Sequence, residues 1–330
     1  MLSLHIDKEE CSCRWRRAND KGKTILMRDI RRVAFMFLVA LIPTCLAAAQ
    51  DEHPSKFQMK VSRVAANVYV IEGAGGNMGA LVGDDGMVLI DDEVEPLVEQ
   101  TLAALRGIAD KPLKFVINTH YHDDHTGGNA YFRKLTPIIA HGNVRKRLQS
   151  GGTSGNGSSM HTEVKPTSAD ALPTLTFEHE VTLHLNGEHI RVVHFPAAHT
   201  DGDAIVFFPS ANVVHMGDIF VTYGFPFVDI SSGGSIDGMI DAVEKVIAQV
   251  PPDVRIIPGH GPVSTLDDLR SYLKMLKGTR NVVAKALREG NTLDWMRRAK
   301  ILDPWKKYSG DFVSEDAFLE TLHNSLRSEN

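Results

Sequence analysis

The feature that most constrains this chain is a dense group of metal-ligand side chains directly after an apolar strand. Residues 115–119 are typical of a buried strand, and the loop that follows holds three histidines and two aspartates within six positions: His120, His122, Asp123, Asp124 and His125. Neutral imidazoles and carboxylates are ligands that Zn²⁺ accepts at about 2.0–2.2 Å. The fold must therefore hold this loop at a rigid sheet edge, where functional residues concentrate.

The spacing within the group is compatible with two ions. His120 and His122 stand two positions apart and can reach one ion around a tight loop, whereas Asp124 and His125 can face a second ion. Further candidates each follow an apolar strand downstream; they are His199, Asp218 and His260. Isolated histidines on apolar strands are usually structural, so five others are predicted not to be ligands: His179, His184, His189, His194 and His215.

The order of strand and helix signals predicts two sheets. A β-meander is predicted over residues 68–90 and a helix over 94–105, and a second group of strands between 174 and 216 also precedes helices. A long helix is predicted over 266–288, because residues 264–268 carry an N-terminal signal with two acids in the first turn. Two sheets packed face to face with helices outside satisfy this order. The Gly- and Ser-rich residues 151–159 are predicted to form a flexible surface loop.

The first 49 residues predict an export signal. An uncharged apolar run at 33–42 is preceded by three arginines and followed by three alanines at 47–49, which is typical of a secretory signal peptide cleaved after Ala49. Residues 1–26 are polar and mixed in charge, so we expect Met27 to be the true start, with Met1 as the alternative. Residues 50–60 are expected to be a mobile leader. The protein is expected in the periplasm or outside the cell, with no membrane attachment after cleavage.

The composition after residue 49 argues against cysteine chemistry and against binding of nucleic acid. All three cysteines precede residue 50, so the exported chain would have no thiolate to serve as nucleophile or ligand. From residue 50 on, 27 Lys and Arg face 36 Asp and Glu, a net charge of −9. An acidic exported protein is a poor partner for nucleic acid, so a small-molecule substrate is expected.

The motifs together resemble the metallo-β-lactamase superfamily. The resemblance rests on Thr-His120-x-His122-x-Asp124-His125-x-Gly-Gly, then His199, Gly217-Asp218 and Gly259-His260-Gly261. It covers about residues 60–275 and implies an α/β fold of the αββα sandwich type, with two Zn²⁺ at one edge of the sheets. A domain is expected over 61–290, followed by a C-terminal helical extension over 291–330.

The resemblance also implies which residues bind the metals. One zinc would be held by His120, His122 and His199. The second would be held by Asp124, His125 and His260, with Asp218 bridging both. Asp124 and Asp218 are the expected catalytic residues, because a zinc-bound hydroxide would attack the substrate carbonyl and Asp124 would orient it.

The substrate is less constrained. In the superfamily, one β-lactamase subclass uses a cysteine at the second zinc, and another generally lacks the bridging aspartate. Asp218 therefore favours an ester, lactone or related carbonyl substrate, with β-lactams as the alternative. Iron-binding oxidoreductases of the same superfamily are a distant alternative; they carry electron-transfer domains, of which the sequence after residue 265 gives no sign.

Candidates for the substrate pocket follow from position alone. The glycine-rich turn at 73–78, which includes Asn77, can flank the site or form an ordinary hairpin. Three aromatic residues follow Asp218 closely, and they are Tyr223, Phe225 and Phe227. If they wall the pocket, they favour a substrate with an apolar acyl group.

Overall fold

The computed structural model describes residues 58–328. The predicted export signal, the choice between Met1 and Met27, and most of the predicted leader lie outside the described residues. Lys60 already begins the first strand, so residues 58–59 are all that the structure shows of the leader.

The first sheet has seven strands. In spatial order they are β1 (Lys60–Ala65), β2 (Val68–Glu72), β3 (Asn77–Gly83), β4 (Gly86–Ile90), β5 (Leu113–Ile117), β6 (Ile138–His141) and β9 (Leu175–Phe177). The first four pair antiparallel, as expected for a meander, and the later pairs are parallel. Parallel strands need long crossovers, and α1 (Val98–Ile108) supplies the one between β4 and β5.

The second sheet has six strands. In spatial order they are β10 (Glu180–Leu185), β11 (Glu188–His194), β12 (Ala204–Phe208), β13 (Val213–His215), β14 (Arg255–Ile257) and β15 (Ser264–Thr265). Only β13 and β14 pair parallel within this sheet as described, and α5 (Ile236–Gln249) connects them. Both strands therefore end at the same edge of the sheet.

The remaining helices cover the sheets or form short turns. They are α2 (Asp123–Thr126), α3 (Asn129–Phe132), α4 (Gly142–Ser150), α6 (Leu266–Arg288), α7 (Leu293–Ala299) and α8 (Glu315–Ser328). The prediction for α6 is confirmed, and its start is a capping box: the Thr265 side chain accepts from the Asp268 amide, and the Asp268 carboxylate accepts from the Thr265 amide. Within residues 58–328 no helix has the length and apolarity to cross a membrane.

Burial divides the molecule into four layers, as predicted. One apolar cluster lies between the sheets and includes Leu81, Ile117, Val206 and Phe208. A second fills the space between the first sheet and α1, and a third lies between the second sheet and α5, α6 and α8. The order is helix, sheet, sheet, helix, because each sheet has two apolar faces to cover.

The C-terminal segment is part of the third cluster. Met296 on α7 and Phe318 and Leu322 on α8 are fully buried beside α5 and α6. Residues 291–328 therefore complete the core of the second half of the sandwich, and they do not stand apart from it.

The prediction of a flexible loop over 151–159 was wrong. Residues there form a two-stranded hairpin of β7 (Gly152–Gly155) and β8 (His161–Val164). Asn156, at the start of the turn, is fully buried, and its Oδ1 accepts from the amides of Ser158 and Met160. Polar hydrogen bonds therefore order this segment, although its composition alone predicted flexibility.

Candidate metal centre

The predicted ligands meet at one edge of the two sheets because each follows the end of a strand. His120 follows β5, His199 follows β11, Asp218 follows β13 and His260 follows β14. The backbone at Gly259 passes close to Asp218, because a Cβ at this position would lie 1.9 Å from Asp218 Oδ1. The Gly-His-Gly motif therefore needs its first glycine.

Three imidazoles form the first ligand group. His122 Nδ1 lies 3.1 Å from His120 Nε2 and 2.9 Å from His199 Nε2. The three nitrogens lie within 4.8 Å of one another, so they can address one ion as three ligands of a tetrahedron. This is the set that the resemblance implied.

The second group adds carboxylates. His260 Nε2 lies 3.2 Å from Asp124 Oδ2 and 3.3 Å from Asp218 Oδ2, and His125 Nε2 lies 3.2 Å from Asp218 Oδ1. Asp218 Oδ2 also lies 3.8 Å from His199 Nε2 of the first group. Asp218 thus stands between the two groups, in the position expected of a bridging ligand.

The residues fit a metal on physical grounds. His125 Nε2 and Asp218 Oδ1 are both buried and form no hydrogen bond, although they face each other. An unpaired buried polar atom costs about 1–3 kcal/mol, so two at one point indicate a missing partner. Nitrogen and oxygen donors in this number suit Zn²⁺ and related divalent transition metals.

Hydrogen bonds on the far side of each ring fix which nitrogen faces the site. His125 Nδ1 lies 2.8 Å from Asp91 Oδ2, and His122 Nε2 lies 3.0 Å from Asp229 Oδ2. His199 Nδ1 lies 2.9 Å from the carbonyl oxygen of Phe227. Such partners set the tautomer and orient a metal-binding ring. Sequence analysis missed Asp91 and Asp229; for Asp91 its place at the end of the buried strand β4 was an available signal.

The charges of the site are strongly coupled. Burial, with help from His122, lowers the pKa of His199 to about 4, so this ring is neutral and ready to bind metal. Burial lowers the pKa of His120 well below its usual value in the same way. Desolvation disfavours a charged His260, but Asp218 and Asp124 outweigh it and raise its pKa to about 10. Metal binding must therefore displace protons from the second group.

The ligands lie at the base of a cavity of 510 Å³, called the site cavity here. Its lining includes His122, Asp124, Asp218 and His260, together with Ala74, Gly75, Ser154, Met160, His161, Thr162, Tyr223, Phe227 and Phe312. This volume falls in the range of about 300–1,000 Å³ usual for small-molecule sites. Tyr223 and Phe227 line it as expected, whereas Met160 and Phe312 were not foreseen.

Two expected pocket residues lie elsewhere. Phe225 is fully buried and stacks on Phe318 at 4.4 Å between ring centroids, so it belongs to the core. Asn77 is buried, and its Nδ2 donates to the carbonyl oxygens of Pro258 and Gly261. Asn77 therefore anchors the loop that carries His260 and does not contact the cavity.

The five isolated histidines lie apart from the ligand groups. None of the five belongs to the ligand groups that residues 58–328 contain. His215 is buried with Nε2 3.2 Å from the Asn77 carbonyl oxygen, and His194 stacks on His141 with ring centroids 3.6 Å apart.

Comparison with known proteins agrees with this geometry. The family model of the metallo-β-lactamase superfamily matches residues 61–260. A metallo-β-lactamase type 2 of Bacteroides fragilis is 21% identical over 70% of this chain and 90% of its own length. A probable metallo-hydrolase of Streptococcus pyogenes serotype M6 is 24% identical over 58% of this chain and 82% of its own length.

Solved structures share the fold. A metallo-β-lactamase from Pontibacter korlensis superposes with a TM-score of 0.56 at 19% identity, covering 67% of this chain and 99% of that one. The stereoselective inverting sec-alkylsulfatase Pisa1 from Pseudomonas sp. gives a TM-score of 0.60 at 16% identity, covering 80% of this chain and 50% of that one. With the family match spanning most of the chain and the ligand groups in place, this protein belongs to the metallo-β-lactamase superfamily.

Proposed function

We propose that this protein is an exported zinc hydrolase that cleaves an ester, lactone or related carbonyl bond in a small molecule. The observation that carries the proposal is the position of Asp218 between two ligand groups at the base of the site cavity. Two Zn²⁺ ions bound there would supply Lewis acidity and a water of lowered pKa.

Asp124 has access to both metal and substrate. Its Oδ2 lies 3.2 Å from His260 Nε2, and its side chain is 32% exposed and lines the site cavity. Such a carboxylate can accept a hydrogen bond from the attacking water and fix its direction. Asp218 is almost fully buried beneath it, and its negative charge reduces the repulsion between two cations.

Tyr223 offers a proton donor beside the ligands. Its ring lies 5.7 Å from that of His260 between centroids, and its hydroxyl oxygen accepts from the Phe227 amide. Burial, with the nearby Asp218, raises the pKa of Tyr223, so the phenol keeps its proton. The O–H group can therefore donate a hydrogen bond to an oxygen of the substrate.

A serine nucleophile is disfavoured by geometry. Ser154 Oγ lies 3.2 Å from His122 Nε2, but Asp229 contacts the same nitrogen. In a Ser-His-Asp triad the serine and the aspartate use opposite ring nitrogens. Here the other nitrogen, Nδ1, faces His120 and His199, which supports a metal-binding role for His122.

β-Lactam hydrolysis is the second candidate. It is favoured by the relatives named metallo-β-lactamase, one of which matches 90% of its own length. Against it, Asp218 as a bridging ligand would add negative charge and would occupy coordination space between two ions. The nitrogen leaving group of a β-lactam needs a free metal position or a proton. An alkoxide leaving group needs less stabilisation by the site.

A panel assay on zinc-loaded protein tests the proposal. An aryl ester, a lactone, a chromogenic cephalosporin and an alkyl sulfate are compared, and metal content is measured on the same sample. We expect kcat/KM for the ester or lactone to exceed that for the cephalosporin at least about tenfold, roughly 1.4 kcal/mol. Chelation should abolish turnover, and Zn²⁺ should restore it.

Two results would contradict the proposal. Efficient cephalosporin turnover with negligible esterase activity would reverse the order of the two candidates. Redox-active iron bound in preference to zinc would favour the oxidoreductase alternative.

A further inference from the structure

We infer that Phe312, together with Met160 and Phe227, makes the site cavity select substrates whose part distant from the reacting bond is uncharged and apolar. This inference rests on the proposed function, because it specifies the substrate of the same site. It assigns a specificity-determining role to a residue of the C-terminal segment.

The side chain of Phe312 is held at the cavity although water contacts most of it. The ring is 60% exposed, whereas the next residue, Val313, is 2% exposed and packed in the core. The Val313 carbonyl accepts from the Gly310 amide, and the Ser309 hydroxyl accepts from the Glu315 amide. The backbone is thus fixed on both sides of an exposed phenyl ring, which a bound apolar group would shield from water.

Aromatic rings lead from the ligands to Phe312. Phe227 lies 6.0 Å from the His122 ring and 5.9 Å from the His199 ring between centroids. Phe312 lies 6.1 Å from Phe227 and 5.5 Å from Tyr223. A substrate whose carbonyl lies at the ligands would therefore extend its other end along an apolar wall.

Met160 provides apolar surface from a second element. It lies in the turn of the β7–β8 hairpin, and its amide donates to the buried Asn156 side chain. Met160 and Phe312 both line the site cavity but come from separate segments of the chain. A thioether adapts to irregular apolar shapes, so the wall suits alkyl as well as aryl groups.

The side chains that line the site cavity disfavour a substrate with a negative charge distant from the reacting bond. Among the described residues that line the site cavity there is no Lys or Arg, and the ionisable side chains besides the four ligand residues are His161 and Tyr223. A carboxylate held away from the ligands would find no fixed cation and would lose hydration against aromatic rings. An uncharged ester or lactone with an alkyl or aryl group fits this surface.

The test compares p-nitrophenyl acetate, butyrate and octanoate, with p-nitrophenyl hemisuccinate as the anionic match to butyrate. For the zinc-loaded protein we expect kcat/KM to rise at least about tenfold from acetate to octanoate, since each buried methylene favours binding. Hemisuccinate should be at least about tenfold worse than butyrate. F312A should reduce the octanoate-to-acetate ratio of kcat/KM about fivefold or more, and F312L should retain most of the ratio.

The matched control is W295A, which removes another exposed aromatic ring of the C-terminal segment that does not line the site cavity. It should leave the ratio unchanged. Binding of the neutral dye Nile red to the zinc-loaded protein, and its displacement by 1-octanol, gives a readout independent of turnover. We expect F312A, but not W295A, to weaken both.

The outcomes separate the two claims. If F312A reduced activity on acetate and octanoate to the same extent and left dye binding intact, the inference would be overturned. The hydrolase proposal would still stand. Absence of esterase activity with Phe312-dependent dye and octanol binding would overturn the proposed reaction and support the apolar recognition surface.

Discussion

At the scale of single residues, Asp218 has the largest consequence for the site. It is buried, it faces His125 and His260, and it lies within 3.8 Å of His199. Burial favours its neutral form, but His260 and His125 together hold its pKa well below the usual value. It is therefore a fixed anion at the point where two cations would meet.

Replacing Asp218 should reduce metal binding without unfolding the protein. D218A is expected to lower zinc content from two ions per chain towards one, because two cations would then face each other unshielded. We expect kcat/KM to fall at least about 100-fold, in line with the several kcal/mol that metal chemistry contributes. Metal analysis and ester kinetics measure this, with circular dichroism as the check on folding.

D241A is a suitable control, since Asp241 is an exposed aspartate on α5 that pairs with Lys245. It should change neither zinc content nor rate. If D218A retained two zinc ions and full activity, the bridging role would be wrong.

The candidate ligands could be predicted from sequence because they cluster locally or follow apolar strands. The residues that orient them could not, because the contacts join distant parts of the chain: Asp91 is 34 positions from His125, and Asp229 is 107 from His122. The aromatic residues after Asp218 show the same limit. No periodicity distinguishes buried Phe225 from cavity-lining Phe227.

At the scale of elements, the β7–β8 hairpin departs most from expectation. Its turn is joined to α8 by contacts that span more than 150 positions: Glu320 accepts from the Ser159 amide, and Asn324 Nδ2 donates to the Asn156 carbonyl. Its strand β7 is joined to the site, since the Gly155 amide donates to Asp229 Oδ1. These long-range partners could not be predicted from the local Gly- and Ser-rich sequence. The limits of α6 were predictable because its capping box is local.

Asn156 should be the residue on which this hairpin depends. N156A removes a fully buried side chain and, with it, the acceptor for two partly buried amides of the turn. We expect a loss of about 1–3 kcal/mol in the free energy of unfolding. Urea denaturation measures it.

S158A is the comparison within the same turn, because Ser158 is exposed and only its amide contacts Asn156. Its stability should stay within about 0.5 kcal/mol of wild type. Equal stability of N156A and wild type would show that the turn does not need the Asn156 side chain.

At the scale of the whole molecule, the four-layer fold followed from the order of strands and helices. The sequence predicted helices after residue 290 but did not indicate which elements they pack against. Their partners lie on α5 and α6, earlier in the chain. Export remains a prediction from the first 49 residues.

Export has a direct test in the mature N-terminus. If the apolar run at 33–42 directs secretion and cleavage follows Ala49, sequencing of the exported protein should begin at or near Gln50. Recovery of uncleaved protein from the cytoplasm, with none exported, would contradict the prediction.

The site draws its two kinds of residue from different parts of the chain. The candidate metal ligands lie in the segments that follow strands of the two sheets, whereas Met160 and Phe312 lie in the hairpin and the C-terminal segment. Substitutions at those two positions leave the strand ends undisturbed. A library restricted to the hairpin turn and residues 309–314 should therefore shift preference among substrates while every member keeps the same reaction. The candidate metal centre and its apolar wall can therefore be altered independently of each other.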